Sequence, residues 1–512
     1  MRSHTPRLFE VLLTASEAYP ALEREFMLAE HEILASFRVF DPWTKLRSQA
    51  AKRVGQIWFD LLIDTLDRGV QITLTISDFD PVARMNFHIH SWNCVRAIYA
   101  AAELSKNPHL LKVTAAMHPA SVGILPRLLL WPRMIKEINT SLEDINQKPP
   151  AARTDILNRA PYVRPLVRYH GQKLAARRFP PPRLYPVTHH QKLAVFDDSR
   201  LYIGGLDLDD RRYDTPNHDR KASETWHDTQ IIVDGPVARE AADHLREFQR
   251  VVRGAKPTKT DFLLRTISAR RAVDLPFMSP KPVVSEIATA HREMIGRSSS
   301  LIYLETQYLR DRTLAKQLAR RAKEASGLTL IIILPAAPEE AAFGNEKSSD
   351  VAYGEHLQCQ CVDIIRRAFG ARVFIGSPVQ QESAKSKGRA SLYGSPIIYL
   401  HAKVSIFDGV DAIVSSGNLN GRSMCWDTEA GVTTTTPQEA RHLQTRSFKH
   451  WLGDTADEAL FQQETACSAW SKLAKRNAGL PPEKRQGFIV PYAEDPAELV
   501  GRNLPGVPEE IA

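Results

Sequence analysis

Two short stretches of the chain carry the same chemically capable side chains at the same spacing. "HHQKLAVFD" holds His190, Lys192 and Asp197, and "HAKVSIFD" holds His401, Lys403 and Asp408; both read H-x-K-x4-D. Histidine and lysine alternate along a run that otherwise reads as a buried strand, which predicts that each pair shares one strand face. Two imidazoles and two ammonium groups brought together repel one another unless an anion joins them. A phosphate diester suits that place. The lysines would hold its non-bridging oxygens and offset the charge that builds in the transition state. One neutral imidazole would attack phosphorus, and the other, protonated, would give its proton to the leaving alcohol. Since the lysines supply the positive charge, no metal and no other cofactor is expected.

The residues after each motif extend this reading. Gly204 and Gly205 would let backbone approach a ligand closely. Ser415, Ser416, Asn418 and Asn420 in "SSGNLN" offer small hydroxyl and amide donors. A catalytic histidine also needs a group that fixes its second ring nitrogen. Two acids follow the motifs, Asp228 in "TWHDTQ" and Glu429 in "WDTEAGV", with Asp427 as a fallback.

The elements that must position these groups repeat. In the second half a helix ("VSEIATAHREMIGR"), a strand ("SLIYLETQYL"), a helix, a buried strand ("LTLIIILP"), a helix and a strand ("ARVFIGS") precede the His401 motif. The first half follows the same order from "ALEREFMLAEHEI" to the His190 motif. Strands alternating with helices predict an α/β fold. Two copies predict two similar lobes, each a mostly parallel mixed sheet flanked by helices, related by a pseudo-twofold axis. The expected division is 1–265 for the first lobe, 266–470 for the second, and an irregular, Pro- and Glu-rich tail over 471–512. An insertion at about 120–185, with "VGILPRLLLWPRMIKEI" and "FPPPRLYP", reads as a lid, a lipid-facing element or a surface helical excursion.

Bulk properties bound the function classes. The chain of 512 residues is too long for one ordinary core. Its 43% hydrophobic and 25% charged residues are those of a soluble globular protein. A net charge of +8 fits an anionic partner without selecting one. Five cysteines form no disulfide framework, and Cys359–Cys361 lacks a second ligand pair, so no zinc site is expected there. No run is long and apolar enough to span a bilayer, and no secretory signal is evident. Two locations stay open: export by a route without a cleaved signal, or the cytoplasm with peripheral membrane contact.

With these motifs the sequence resembles the phospholipase D superfamily and its paired HKD motifs, and within it the bacterial members of the eukaryotic-type phospholipase D group. "GGLDL", "RRYD" (Arg211 to Asp214) and "WHD" (Trp226 to Asp228) follow the first motif as in that group. "IYLETQYL" is similar to the family's I-Y-I-E-N-Q-Y/F, with Thr306 in place of Asn. "SSGNLNGRS" is similar to G-S-A-N-x-N-x-R-S, with Ser415 and Gly417 at the usual Gly and Ala positions. The resemblance covers roughly residues 30 to 450. It implies that the motifs meet in one active site at the lobe interface. His190 would be the nucleophile and His401 the general acid, or the reverse. Lys192 and Lys403 would hold the phosphate, and Asp228 and Glu429 would orient the histidines. Asp197 and Asp408 look like supports of the site. Gly205, Ser416 and Asn418 would line the phosphate pocket. The implied activity is hydrolysis of a glycerophospholipid such as phosphatidylcholine to phosphatidic acid and choline at a membrane surface, with transfer to alcohols open. A phosphatidyltransferase of the cardiolipin synthase type and a nuclease of the same superfamily are the alternatives; nucleic acid is not favoured. An inactive binding module would be expected to lack a motif His or Lys, and all four are present. No lipid-binding module precedes the repeat, so calcium or phosphoinositide control is not expected. One chain suffices for one site.

Overall fold

The computed structural model describes residues 8–344, 349–455, 457–494, 501 and 508–511. It contains two large mixed sheets, one in each half of the chain. The first has the order Phe9–Leu13, Thr229–Asp234, Arg200–Gly204, Leu193–Phe196, Glu32–Phe37, Gln71–Ser77, Leu111–Ala116. The second has the order Lys281–Ser285, Leu263–Ala269, Glu429–Thr433, Asp411–Ser415, Lys403–Phe407, Leu301–Thr306, Thr329–Ile333, Val373–Pro378, Ile489–Pro491. In each sheet three neighbouring strands pair in parallel through helical crossovers. The motif strand then joins antiparallel and continues into a hairpin.

The repeat extends to single contacts. In the first half Phe40 bridges Leu208, and in the second Leu309 bridges Leu419. The carboxylate of Asp197 accepts from the backbone N–H groups of Glu30, His31 and Glu32 at 2.8–2.9 Å. Asp408 does the same for Ser299, Ser300 and Leu301 at 2.8–2.9 Å. Each aspartate sits in the left-handed region at a hairpin turn, at φ 50° and 53°. Each ties that turn to the start of the neighbouring strand, so the last residue of the motif is a splice between elements.

The two sheets share one core. Leu193, Val195, Leu201, Ile203, Ile231 and Val233 of the first join Val404, Ile406, Ala412, Val414 and Val432 of the second in a single buried cluster. The alternate residues Ala194 and Phe196 point outward into a second cluster, and Phe407 points into a third. Both faces of each motif strand are therefore buried, which is why these strands read as unbroken apolar runs. The ends of the motif strands are held at the seam where the lobes meet.

Three expectations need correction. His190 precedes the Leu193–Phe196 strand and His401 precedes Lys403–Phe407, so the histidines stand at the strand mouths and not on a strand face. Residue 265 does not end the first lobe's structure cleanly, because the Leu263–Ala269 strand already belongs to the second sheet. The expected irregular tail is also ordered in part. Helix Ala466–Ala478 crosses residue 470, burying Trp470, Leu473 and Ala474 in the shared core, and Ile489–Pro491 adds an edge strand beside Val373–Pro378. The Pro and Glu content hid this short strand. Residues 495–500, 502–507 and 512 of that tail lie outside the described residues.

The insertion packs in a separate small core that it shares with Val82 and Met85 of the first lobe. Helices Ile124–Asn146 and Pro150–Arg159 and a hairpin of Val167–His170 with Lys173–Ala176 bury Met134, Ile138, Leu142, Leu157 and Leu174. Among the described residues no helix is long and apolar enough to cross a membrane.

Candidate active site

Two reciprocal backbone bridges bring the motifs together. His189 pairs with Thr428, and His227 pairs with Leu400, both in parallel sense. The N–H of His190 donates to Thr428 O and that of His401 to His227 O, each at 2.8 Å. Each bridge sets a histidine of one lobe beside the residue that follows the bridging residue of the other, Glu429 and Asp228 respectively. His190 Nδ1 lies 3.1 Å from Glu429 Oε2, and His401 Nδ1 lies 2.6 Å from Asp228 Oδ2. Each imidazole thus takes its acid from the opposite lobe and keeps Nε2 for other chemistry. Asp427, the fallback, is occupied elsewhere, accepting from Thr188 N–H and pairing with Arg422 at 2.8 Å.

The lysines fold back toward their own histidines. Lys192 Nζ donates to His190 O at 2.5 Å and lies 3.9 Å from Asp207. Lys403 Nζ donates to His401 O and lies 3.0 Å from His401 Nδ1. Both lysines are buried. Burial pushes Lys192 down to about 8 and Lys403 down to about 7. Burial, then the neighbouring lysines, holds both imidazoles well below their usual range. It pushes Asp228 up to about 6 and Glu429 up to about 8. Every shift favours the neutral form, as expected for charges taken from water. An anion bound among these groups reverses that balance for the cations, so the site is poised to charge as it fills.

The three residues expected to line a phosphate pocket are all close by, but two support the acids. A Cβ on Gly205 would lie 2.2 Å from Asp228 Oδ1, so only glycine lets this carboxylate reach His401. Ser416, fifteen residues after its histidine as Gly205 is after His190, donates its hydroxyl to Glu429 Oε2 at 2.5 Å. Asn418 Nδ2 donates to Gln307 at 3.2 Å, and its buried Oδ1 has no hydrogen-bond partner. Of the other donors, Ser415 bonds Gly417, and Asn420 caps the short helix Gly421–Cys425. Asp197 and Asp408 lie at the far ends of the motif strands from the imidazoles, in the splices described above.

Sequence reasoning missed the arginines. Arg212 is buried and Arg38 half-buried, and the Nε atoms of both are enclosed without hydrogen-bond partners. Buried unpaired guanidinium N–H groups are costly, and these mark a place for anionic oxygens. Arg212 stacks over Trp226 at 4.5 Å, and that indole lies 4.6 Å from the His401 ring. Arg38 was visible as a lone cation in the apolar strand "LASFRVF", and Arg212 lies in the "RRYD" segment; burial gave both their meaning. Arg38 corresponds by repeat to Gln307, and Asp207 to Asn418. A charged pair in one half-site therefore stands where the other has an amide pair.

Residues 292–451 match the family model described as cardiolipin synthase, PLD-like domain. Phospholipase D beta 1 of Arabidopsis thaliana is 22% identical over 381 residues, covering 49% of this chain and 35% of that protein. Phospholipase D1 of Schizosaccharomyces pombe is 23% identical over 335 residues, covering 46% of this chain and 24% of the relative. Phospholipase D alpha 4 of Arabidopsis thaliana is 21% identical and covers 68% and 58%. The chain spans less than two thirds of the length of these relatives. Among solved structures, phosphatidylserine synthase of Haemophilus influenzae aligns over 93% of this chain and 96% of its own, at 13% identity and a TM-score of 0.49. These matches support a place for the chain in the phospholipase D superfamily.

Proposed function

We propose that the seam between the lobes is a phospholipase D active site. It cleaves the distal phosphodiester bond of a glycerophospholipid such as phosphatidylcholine, giving phosphatidic acid and the free head group. The observation that carries this reading is the reciprocal pair of imidazoles, each on a buried acid of the other lobe, beside two buried lysines and two arginines whose enclosed Nε–H groups are unpaired. One neutral imidazole attacks phosphorus through Nε2 and the bond to the head-group oxygen breaks. The other imidazolium gives that oxygen its proton, and the acid at its Nδ1 offsets the charge it gains and loses. Lys192, Lys403, Arg38 and Arg212 hold the non-bridging oxygens. The second imidazole, now neutral, takes a proton from water as the oxygen attacks the phosphatidyl-histidine and the P–N bond breaks.

An apolar patch near the entry suits a lipid surface. Leu125, Leu128, Leu129 and Phe179 of the insertion are exposed, Leu129 at 85% and Phe179 at 73%. The Val273–Phe277 loop is clipped beside them by Gly123 N–H to Phe277 O and Leu125 N–H to Leu275 O, and exposes Leu275 and Phe277. The insertion leads back through Leu184 into His189 and His190. Apolar exposure rimmed by Arg127 and Arg178 fits contact with an anionic bilayer face.

The match to a cardiolipin synthase-type model favours one second reading, in which an alcohol replaces water as acceptor. Choline release from phosphatidylcholine, with and without added primary alcohol, separates the two. Hydrolysis in water with partial diversion to the phosphatidyl-alcohol, and an acid-labile adduct trapped in His401→Asn, is the expected result. Release only with an alcohol present selects the transferase. No adduct on either histidine, with inversion at phosphorus, overturns the double displacement.

A further inference from the structure

Behind the proposed active site, three more imidazoles from both lobes converge. Ligand-capable nitrogens of His218, His227 and His450 all lie within 4.8 Å of one another. His218 Nε2 and His450 Nε2 are 3.0 Å apart. Two nitrogens bound to tetrahedral zinc at 2.0–2.1 Å stand about 3.3 Å apart, so this pair is already near ligand spacing.

Hydrogen bonding alone leaves the cluster unexplained. A bond between the two Nε2 atoms accounts for that contact only. His227 is 1% exposed, yet neither of its ring nitrogens has a hydrogen-bond partner. Glu305, equally buried, accepts from Tyr303 and Trp451 through Oε1 and leaves Oε2 without a hydrogen bond, 3.5 Å from His227 Nε2. A buried imidazole and a buried carboxylate oxygen facing each other unsatisfied are costly. On the other side, His218 Nδ1 is held by Asp214 at 2.6 Å. That contact fixes the ring and turns its Nε2 toward the cluster, the outer-shell arrangement usual for metal-binding histidines. His218 also holds φ at 51°, a left-handed conformation that costs energy away from glycine and concentrates at functional positions.

We propose that His218, His227 and His450 bind one divalent first-row transition metal of the zinc class, with Glu305 as the fourth ligand. Imidazole and carboxylate donors of this number suit such an ion. His218 and His227 come from the first lobe and His450 and Glu305 from the second, so the ion fastens the lobes together. It also anchors the backbone one residue before Asp228 and thereby holds that acid against His401. The Cys359–Cys361 pair takes no part. The inference concerns a structural site and does not depend on which diester the enzyme cleaves.

The test uses the full chain stripped with a chelator and titrated with Co(II), whose visible absorption reports tetrahedral coordination. One equivalent binding below about 1 µM, with zinc displacing it and raising Tm, is expected. His450→Ala and His218→Gln should each weaken binding at least ~100-fold, and the double variant His190→Ala/His401→Ala should retain it. Circular dichroism identifies any variant that fails to fold, and His450→Gln, which stays near the original volume, replaces it. No Co(II) binding tighter than about 100 µM by the unaltered chain overturns the proposal. So does binding that survives both cluster substitutions, or that disappears with the catalytic histidines.

Discussion

At the scale of residues, the decisive contacts are between each imidazole and an acid from elsewhere in the chain. Gly205 shows how tight they are. In Gly205→Ala the new Cβ meets Asp228 Oδ1 at 2.2 Å, and the carboxylate must leave His401 Nδ1. The expected loss in kcat is at least ~10-fold, about 1.4 kcal/mol, with the fold intact by circular dichroism. Unchanged kcat would show that the acid does not matter to the histidine. The lysines set the pH response. With burial lowering Lys192 to about 8 and Lys403 to about 7, raising the pH neutralises the groups proposed to hold the diester. For a short-chain soluble substrate, kcat/KM should fall on the alkaline side with an apparent pKa of about 7–8 that belongs to the coupled pair. The acid limb should lie below the ordinary imidazole range, because both histidines are held down. In Lys403→Arg the alkaline limb should move up even where activity drops. A profile flat from pH 6 to 9 would remove the lysines from this role.

At the scale of elements, the contacts of Asp197 and Asp408 are those of hairpin supports, and we propose that neither takes part in the chemistry. Each carboxylate accepts three backbone N–H groups at the start of the neighbouring strand. Asp197→Ala leaves those donors to water and should cost about 1 kcal/mol, seen as a fall in Tm on the order of 1 °C in a chain of this length. Turnover well below Tm should stay within about threefold of the original, since the imidazoles lie at the other end of the strand. Burial raises the Asp197 carboxyl, but the three N–H groups lower it more, so its net position is below the usual range. Its stabilisation is therefore present at neutral pH and is lost as the pH falls through that lowered value. The stabilities of the two proteins should converge in acid. A loss of turnover as deep as in His190→Ala would return Asp197 to the reacting groups.

For the whole molecule, one core carries both sheets, and the seam proposed as the active site lies where they dock. The insertion packs on a small cluster shared with Val82 and Met85 and presents Leu129 and Phe179 outward. If that face meets the bilayer, Leu129→Asp should reduce activity on phosphatidylcholine vesicles at least ~5-fold while leaving turnover of a monomeric short-chain diester unchanged. Burial of one such side chain contributes roughly 1.5–3 kcal/mol, which sets the scale of the effect. Equal loss on both substrates would point to damage at the site itself. No loss on vesicles would place the membrane contact elsewhere.

What the sequence by itself determined was a set of candidate reacting groups and the doubling of the fold. Histidine, lysine and small polar residues at fixed spacing are local properties, and strand–helix alternation follows from side-chain periodicity. The acids Asp228 and Glu429 were legible as candidates for the same reason. Which acid serves which histidine was not legible. The pairs lie 239 and 173 residues apart, and spacing along a chain does not say which loops will meet. That was decided by two sheets burying one shared core, which lets His189 bridge Thr428 and His227 bridge Leu400 across the seam. The same docking turned Arg38 from a lone strand cation into a half-buried one with an unpaired Nε–H. It gathered His218, His227 and His450, which share no sequence motif, into one cluster. It also drew Ala466–Ala478 and Ile489–Pro491 into the fold against their composition, because apolar faces too short to announce themselves locally gain from burial only once the sheet edge beside them exists.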